Sequence, residues 1–138
     1  VRFVWNLNNQ VDRHFWRRDT TVHDYSAGVR RTWNGDNSLT ISFIVGLDQF
    51  VETSLGGFLK AGAATATTFI GMAVDNYTAE DLELTEYVAN YGTTWTNGGN
   101  KGGKNLTAGY HYLITIEYAD SGQTSSFSDS VITGIIKG

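Results

Sequence analysis

The sequence contains no cysteine and no proline, and each absence excludes a class of structure. Without cysteine the chain has neither disulfides nor thiolate metal sites, so its stability has to come from packing or assembly. Without proline, every backbone N–H remains available to a hydrogen-bonded ladder. The turns then have to be made by glycine, of which the chain has 16.

A positive net charge and a long apolar run are also missing. The net charge of −4 argues against the basic surface that sequence-independent binding of nucleic acid requires. No apolar run approaches the roughly 18 residues of a membrane span. We therefore expect neither nucleic acid nor membrane insertion. The chain begins at Val1 without a methionine, which indicates part of a longer chain or a processed product.

The sequence does contain many segments that alternate with period two, as β-strands do. Along residues 111–118 one face carries only tyrosine and isoleucine, while the other is mixed and includes Leu113 and Glu117. This pattern predicts a central strand packed on a core. Asn34-Gly35 is the strongest hairpin signal in the chain.

About nine such strands with glycine turns predict a single all-β domain over residues 1–138, a jelly-roll-like antiparallel β-sandwich. Gly56-Gly57 interrupts a predicted strand over residues 49–61 and indicates a bulge or a close backbone approach. Residues 78–91 allow a short helix, because a capping-box pattern at Thr78 precedes apolar residues at helical spacing. The same segment also alternates like a strand.

Residues 98–105, GGNKGGKN, nearly match the phosphate-binding pattern G-x-x-x-x-G-K-[ST]. Asn105 stands where a hydroxyl would bind magnesium, and a turn rather than a helix is predicted to follow. We therefore interpret the run as a surface loop and expect no nucleotide.

The remaining polar residues predict no catalytic or metal site. His14 and His23 fall on opposite faces of one predicted strand and match no familiar ligand spacing. No G-x-S-x-G elbow is present. Glu52 and Glu117 cannot be placed at the separation that paired carboxylates need, and a solvated acidic face is the simpler interpretation. We expect no enzyme activity, no metal and no cofactor.

Two predicted loops combine an aromatic ring with polar, glycine-rich neighbours, as sugar-binding loops do. The candidate ligand-binding residues are Trp33, Asn34, Tyr91, Trp95 and Asn97. The alternative is that Trp33 and Trp95 are core or subunit-contact residues.

Several segments, in a consistent order over most of the chain, resemble the C-terminal β-domain of bacteriophage virion proteins such as tail fibres, tailspikes and decoration proteins. They are residues 16–20 (WRRDT), 29–33 (VRRTW), 42–48 (SFIVGLD), 70–76 (IGMAVDN), 108–118 (AGYHYLITIEY) and 133–138 (TGIIKG). The chain departs from the resemblance in residues 78–91 and around Asn100.

The resemblance implies a virion structural domain on the particle surface, usually trimeric, with other virion proteins as partners and no defined catalytic site. Contact with a host-surface glycan is compatible with that role. The alternative function is a jelly-roll carbohydrate-binding module, because the chain is rich in tryptophan and tyrosine. An enzyme on a sandwich scaffold is a third hypothesis.

Apolar side chains exceed what one sandwich face requires, which predicts a homo-oligomer and most simply a trimer. The surplus residues are Trp5, Phe15, Trp16, Phe50, Phe58 and Tyr87. Residues 67–75 are also apolar on both predicted faces, and we expect an identical subunit to cover the second face.

Overall fold

The computed structural model describes residues 11–63, 65–78, 87–89 and 94–137 of the chain. Its strands are β1 (Asp12–Asp19), β2 (His23–Tyr25), β3 (Arg31–Thr32), β4 (Thr40–Val45), β5 (Gln49–Lys60), β6 (Thr68–Val74), β7 (Tyr87–Ala89), β8 (Thr96–Leu106), β9 (Gly109–Ala119) and β10 (Ser125–Lys137). Within these ranges no helix has the length and apolar character needed to cross a membrane.

The strands form two five-stranded antiparallel sheets. In sheet A the order is β1-β10-β5-β8, and β2 also pairs with β10. In sheet B the order is β3-β9-β6-β7, and β4 also pairs with β9. From β4 onwards the chain crosses repeatedly between the sheets, which is the topology of a jelly roll. The predicted jelly-roll-like sandwich is therefore confirmed.

Strand β1 joins sheet A by pairing with β10, the last strand of the chain. The register runs from Asp12 opposite Lys137 to Asp19 opposite Ser130. An ion pair of 2.5 Å joins the Lys137 Nζ to the Asp12 Oδ1. The first and last described strands are thus neighbours along their whole shared length.

The main core lies between the two sheets. Its largest fully buried apolar side chains are Trp33, Leu39, Leu59, Ile70, Met72, Leu113, Phe127 and Ile132. Both sheets contribute, because the inward-facing residues alternate with outward-facing ones along each strand. Phe15 also packs against this core, with its ring stacked on Phe43 at 5.2 Å between centroids.

Strand β9 is the central strand that its pattern predicts, but its apolar face does not point to the main core. Leu113, on the mixed face, belongs to the core between the sheets. Ile114 and Ile116 form a second buried cluster with Ala73 on the outer side of sheet B. All of β6 is buried as well. Both faces of these strands are thus covered within a single chain, so β6 needs no partner subunit to cover it.

Two local predictions were wrong or only partly right. Asn34 and Gly35 do adopt positive φ, at 55° and 70°. They lie in a short 3₁₀ turn, Trp33–Gly35, and the flanking β3 and β4 both pair with β9 rather than with each other, so no hairpin forms. The glycine-rich run 98–105 is not a loop but part of β8, which pairs with β5 along its whole length.

The segment for which a short helix was considered is described only in part. Tyr87–Ala89 forms strand β7, antiparallel to β6, so this part of residues 78–91 is not helical. The rest of the segment beyond Thr78 lies outside the described residues.

Candidate ligand-binding groove

The five predicted ligand-binding residues do not form one site. Trp33 is fully buried in the main core, with its ring edge-on to His23 at 4.8 Å between centroids, and cannot stack on a ligand in solvent. This burial agrees with the alternative interpretation, in which Trp33 is a core residue. Asn34 lies beside it in the link between β3 and β4, on the edge of sheet B.

Trp95 and Asn97 lie instead at the start of β8, on the edge of sheet A. Trp95 immediately precedes the strand and is 42% exposed, and Asn97 is exposed. By alternation along β8, Asn97 lies on the outer face of the sheet. Tyr91 lies outside the described residues.

The outer face of sheet A contains a groove whose floor is bare backbone at Gly56 and Gly99 and carries the Val131 side chain beside them. Gly56 of β5 pairs directly with Gly99 of β8, and Val131 of β10 pairs with Gly56 on the other side. Among the described atoms, a Cβ added to Gly56 would have only the Val131 Cγ1 at 3.6 Å and the Gly98 carbonyl oxygen at 3.9 Å within 4 Å. The space above the floor is therefore open.

Side chains on either side of this floor form two walls. The first wall carries Trp16, Ser54 and Lys101, which lie in one row because Trp16 pairs with Thr133, Thr133 with Ser54 and Ser54 with Lys101. The second wall carries Asp129, Phe58 and Asn97. Two adjoining depressions of about 500 and 400 Å³ share Gly56 and Val131 in their linings, and together they are called the groove.

Two exposed aromatic rings line this groove. Trp16 is 71% exposed and Phe58 37% exposed, and both line the groove. Phe50 lies on the same face at the other end of β5, outside the groove lining, and is 54% exposed. Two exposed rings thus line the groove, and a third lies on the same sheet face outside it.

A β-bulge fixes the polar part of the second wall. The register of β10 against β5 shifts between Ser128 and Val131, and Asp129 takes a positive φ of 49°. Its carboxylate accepts two hydrogen bonds from Arg18, at 2.5 and 2.7 Å. These hydrogen bonds from the guanidinium hold the pKa of Asp129 below its usual value. Because both groups are solvent-accessible, the pair contributes defined geometry more than stability.

The groove thus combines an aromatic plate, fixed hydrogen-bonding groups and a floor that has no side chains at Gly56 and Gly99. Such a surface can accept a flat ring by stacking while its edges are hydrogen-bonded by guanidinium, carboxylate and amide groups. Residues outside the predicted set supply most of it. The Gly56-Gly57 signal for close backbone approach pointed to the floor, but no local pattern showed that Gly99, Trp16 or Asp129 would face it.

A second polar cluster is buried rather than offered to a ligand. Glu117 is fully buried and its two carboxylate oxygens accept hydrogen bonds of 2.6 Å from His23 Nε2 and Arg31 Nε. The expectation of a solvated acidic residue at Glu117 was therefore wrong. The guanidinium of Arg31 also lies over the ring of Tyr25 at 3.8 Å. This cluster ties the edge of sheet B to sheet A.

Among the residues that the structure describes, no three histidine, aspartate or glutamate side chains converge as metal ligands would. His14 and His23 do not converge either: His14 is exposed on β1, whereas His23 belongs to the buried cluster with Glu117.

The chain is a jelly-roll domain with an open groove on the outer face of one sheet. No protein-family model matches the sequence, and no curated protein matches it. The structure is similar to the VP2 protein of infectious bursal disease virus (D431N mutant, T=1 particles), with 10% identity and a TM-score of 0.60 over 89% of this chain and 31% of VP2. This chain therefore spans about a third of the VP2 chain that it matches.

Two further solved structures are similar. Latent PorU from Porphyromonas gingivalis matches with 9% identity and a TM-score of 0.54, over 91% of this chain and 13% of PorU. The C-terminal domain of EclA, described as a sugar-binding protein, matches with 9% identity and a TM-score of 0.45, over 83% of this chain and 78% of that domain. At these identities the likeness concerns the fold alone.

Proposed function

We propose that this chain is a carbohydrate-binding jelly-roll domain displayed on a virus particle. The groove on sheet A is the observation that carries the proposal. Sugar rings present an apolar face and a rim of hydroxyl groups, and they need an aromatic plate next to fixed donors and acceptors. Trp16 supplies the plate, and the Arg18–Asp129 pair beside it supplies both kinds of polar group.

The virion location is supported by the resemblance to bacteriophage β-domains and by the jelly-roll fold that the chain shares with VP2. In this role the domain belongs to a tail fibre, a tailspike or a capsid decoration, contacts other virion proteins, and binds a glycan of the host surface. We propose no catalytic activity, metal or cofactor for it. Antibodies against the purified domain should label intact particles, and failure to label any particle fraction would contradict the location.

A homo-oligomer, most simply a trimer, remains part of the proposal on the basis of the resemblance. The apolar surplus supports it less than expected, because β6 is covered on both faces within the chain and Phe15 packs on the core. The exposed rings of Trp16 and Phe58 are assigned to the ligand instead. Light scattering should give three times the monomer mass, and a stable monomer at micromolar concentration would contradict the trimer.

A carbohydrate-binding module outside any virion is the second candidate, because it would use the same groove. Absence of the chain from particles, together with retained sugar binding, would favour it. The groove leads to the same binding experiment under both hypotheses.

Binding is tested with the purified domain on a glycan microarray that includes bacterial surface polysaccharides. We expect wild-type binding, and a loss of at least about tenfold in affinity for Trp16→Ala, equivalent to about 1.4 kcal/mol. Phe50→Ala is the matched control, because it removes an exposed ring from the same sheet face outside the groove. No binding to any glycan, or equal loss in the two variants, would contradict the proposal.

A further inference from the structure

The direction of the groove relative to the strands supports one further inference about the ligand, which rests on the proposed carbohydrate binding. One row of paired residues crosses the four strands β1, β10, β5 and β8 of sheet A. It consists of Arg18, Val131, Gly56 and Gly99. Neighbouring strands lie about 4.8 Å apart, so the crossing measures roughly 14 Å between the two edge strands. The groove therefore runs perpendicular to the strands and is longer than one sugar ring.

Groups able to bind sugar are distributed along this crossing rather than gathered at one point. At the β1 side lie the ring of Trp16 and the Arg18–Asp129 pair. In the middle, the hydroxyls of Ser54 and Thr133 are hydrogen-bonded to each other at 2.7 Å, which orients them. Different sugar residues of one chain can therefore be contacted at the same time.

At the β8 side the lining continues with Asn97 and Lys101. Asn97 adds amide donors and acceptors, and its pairing with Phe58 places both side chains on one wall. The polar groups at the two sides of the sheet are separated by the Val131 side chain and the bare floor at Gly56. A ligand that uses both sides has to bridge the floor.

The floor also limits the shape of the ligand. Because Gly56 and Gly99 have no side chains, a sugar chain can lie against the backbone between the two walls. A substituent that points down would meet the peptide plane, so branches are tolerated only on the side that faces solvent. This favours a linear chain over a compact, branched glycan.

From these observations we infer that the ligand is a linear polysaccharide bound perpendicular to the strands of sheet A, with several consecutive sugar residues in contact from Trp16 to Asn97. Such a site recognises a stretch of repeating chain and not a single terminal sugar. The affinity is then set by the number of consecutive residues bound.

The test uses the oligosaccharide series of whichever polysaccharide binds on the array, from the monosaccharide upwards, measured by isothermal titration calorimetry with the full chain. We expect affinity to rise with each added residue and to reach a plateau at least tenfold above the disaccharide. Asn97→Ala should lower the plateau while leaving the shortest binding oligosaccharide unchanged, whereas Trp16→Ala should weaken every length.

The outcomes separate the two proposals. Absence of binding to every polysaccharide overturns the proposed carbohydrate binding itself. Binding of the polysaccharide with the same affinity as its monosaccharide or disaccharide leaves carbohydrate binding intact and overturns the linear-chain inference. Equal effects of Asn97→Ala on every length also overturn it, because the two sides of the sheet would then contact the same sugar.

Discussion

The bare floor of the groove makes a direct test possible, because a side chain can be added there without disturbing the core. We predict that Gly56→Val weakens ligand binding at least tenfold and leaves the fold intact. The nearest described atoms to a Cβ at Gly56 are at 3.6 and 3.9 Å, which is ordinary van der Waals contact. The two methyl groups would project into the groove, where the proposed sugar chain lies.

Gly56→Val should increase the stability of the domain while it decreases the affinity for the ligand. Glycine inside a strand destabilises by roughly 0.5–1 kcal/mol relative to alanine, and β-branched residues are favoured in strands. Gly56→Val should therefore stabilise the domain by about 0.5–1 kcal/mol and raise its Tm by a few degrees. Affinity for the array ligand should fall at least tenfold, about 1.4 kcal/mol.

Gly57 is the matched control, because it is the next residue and faces the core. A Cβ there would lie 3.1 Å from the Ile70 Cδ1 and 3.3 Å from the side chain of Ser130. Crowding of this kind costs about 1–3 kcal/mol, so Gly57→Ala should destabilise the domain and keep its affinity. Thermal unfolding and calorimetric titration measure both quantities for each variant. If Gly56→Val folds and binds like the wild type, the groove is not the binding site.

The remaining predictions concern the two histidine–carboxylate contacts. Glu117→Ala should destabilise the domain by about 3–5 kcal/mol in denaturant unfolding, because it leaves Arg31 and His23 without their buried partner; a loss below 1 kcal/mol would contradict a buried ion pair. Burial lowers the pKa of His111, but its hydrogen bonds to the Asp75 carboxylate and to a backbone carbonyl outweigh this and raise that pKa above its usual 6.5. The stabilisation should therefore be complete below pH 6.5 and be lost as the pH rises through the higher, folded-state pKa. NMR titration of the imidazole and unfolding curves across this range measure it, with His111→Asn as the control that should remove the dependence.

The sequence predicted the sandwich because strand signals depend on neighbours in the chain. Alternation and glycine turns showed most of the strands, and β9 is the central strand that residues 111–118 indicated. Periodicity reports only that two faces differ, however, and does not report which face meets the other sheet. The alternation therefore did not show that Ile114 and Ile116 lie outside the main core. It also did not show that Glu117, on the mixed face, is buried by partners from β2 and β3.

The groove was less predictable, since it depends on register between strands distant in sequence. Gly56 and Gly99 form the floor only because β5 and β8 pair over eleven residues without a shift. Trp33 beside Asn34-Gly35 has the same local pattern as an exposed sugar-binding loop, but tertiary packing encloses its ring. Strand pairing and burial are both properties of the assembled sheets. The predicted ligand-binding residues therefore lie apart, with Trp33 in the core and Asn97 in the groove.

The pairing of β1 with β10 determines when the groove can form during synthesis of the chain. The floor and walls draw on β1, β5, β8 and β10, and β1 is held in sheet A by β10. A ribosome releases β10 last among these strands, so β1 has to wait unpaired while the intervening hundred or so residues emerge. Nascent chains therefore lack the complete groove until β10 has paired with β1 and β5.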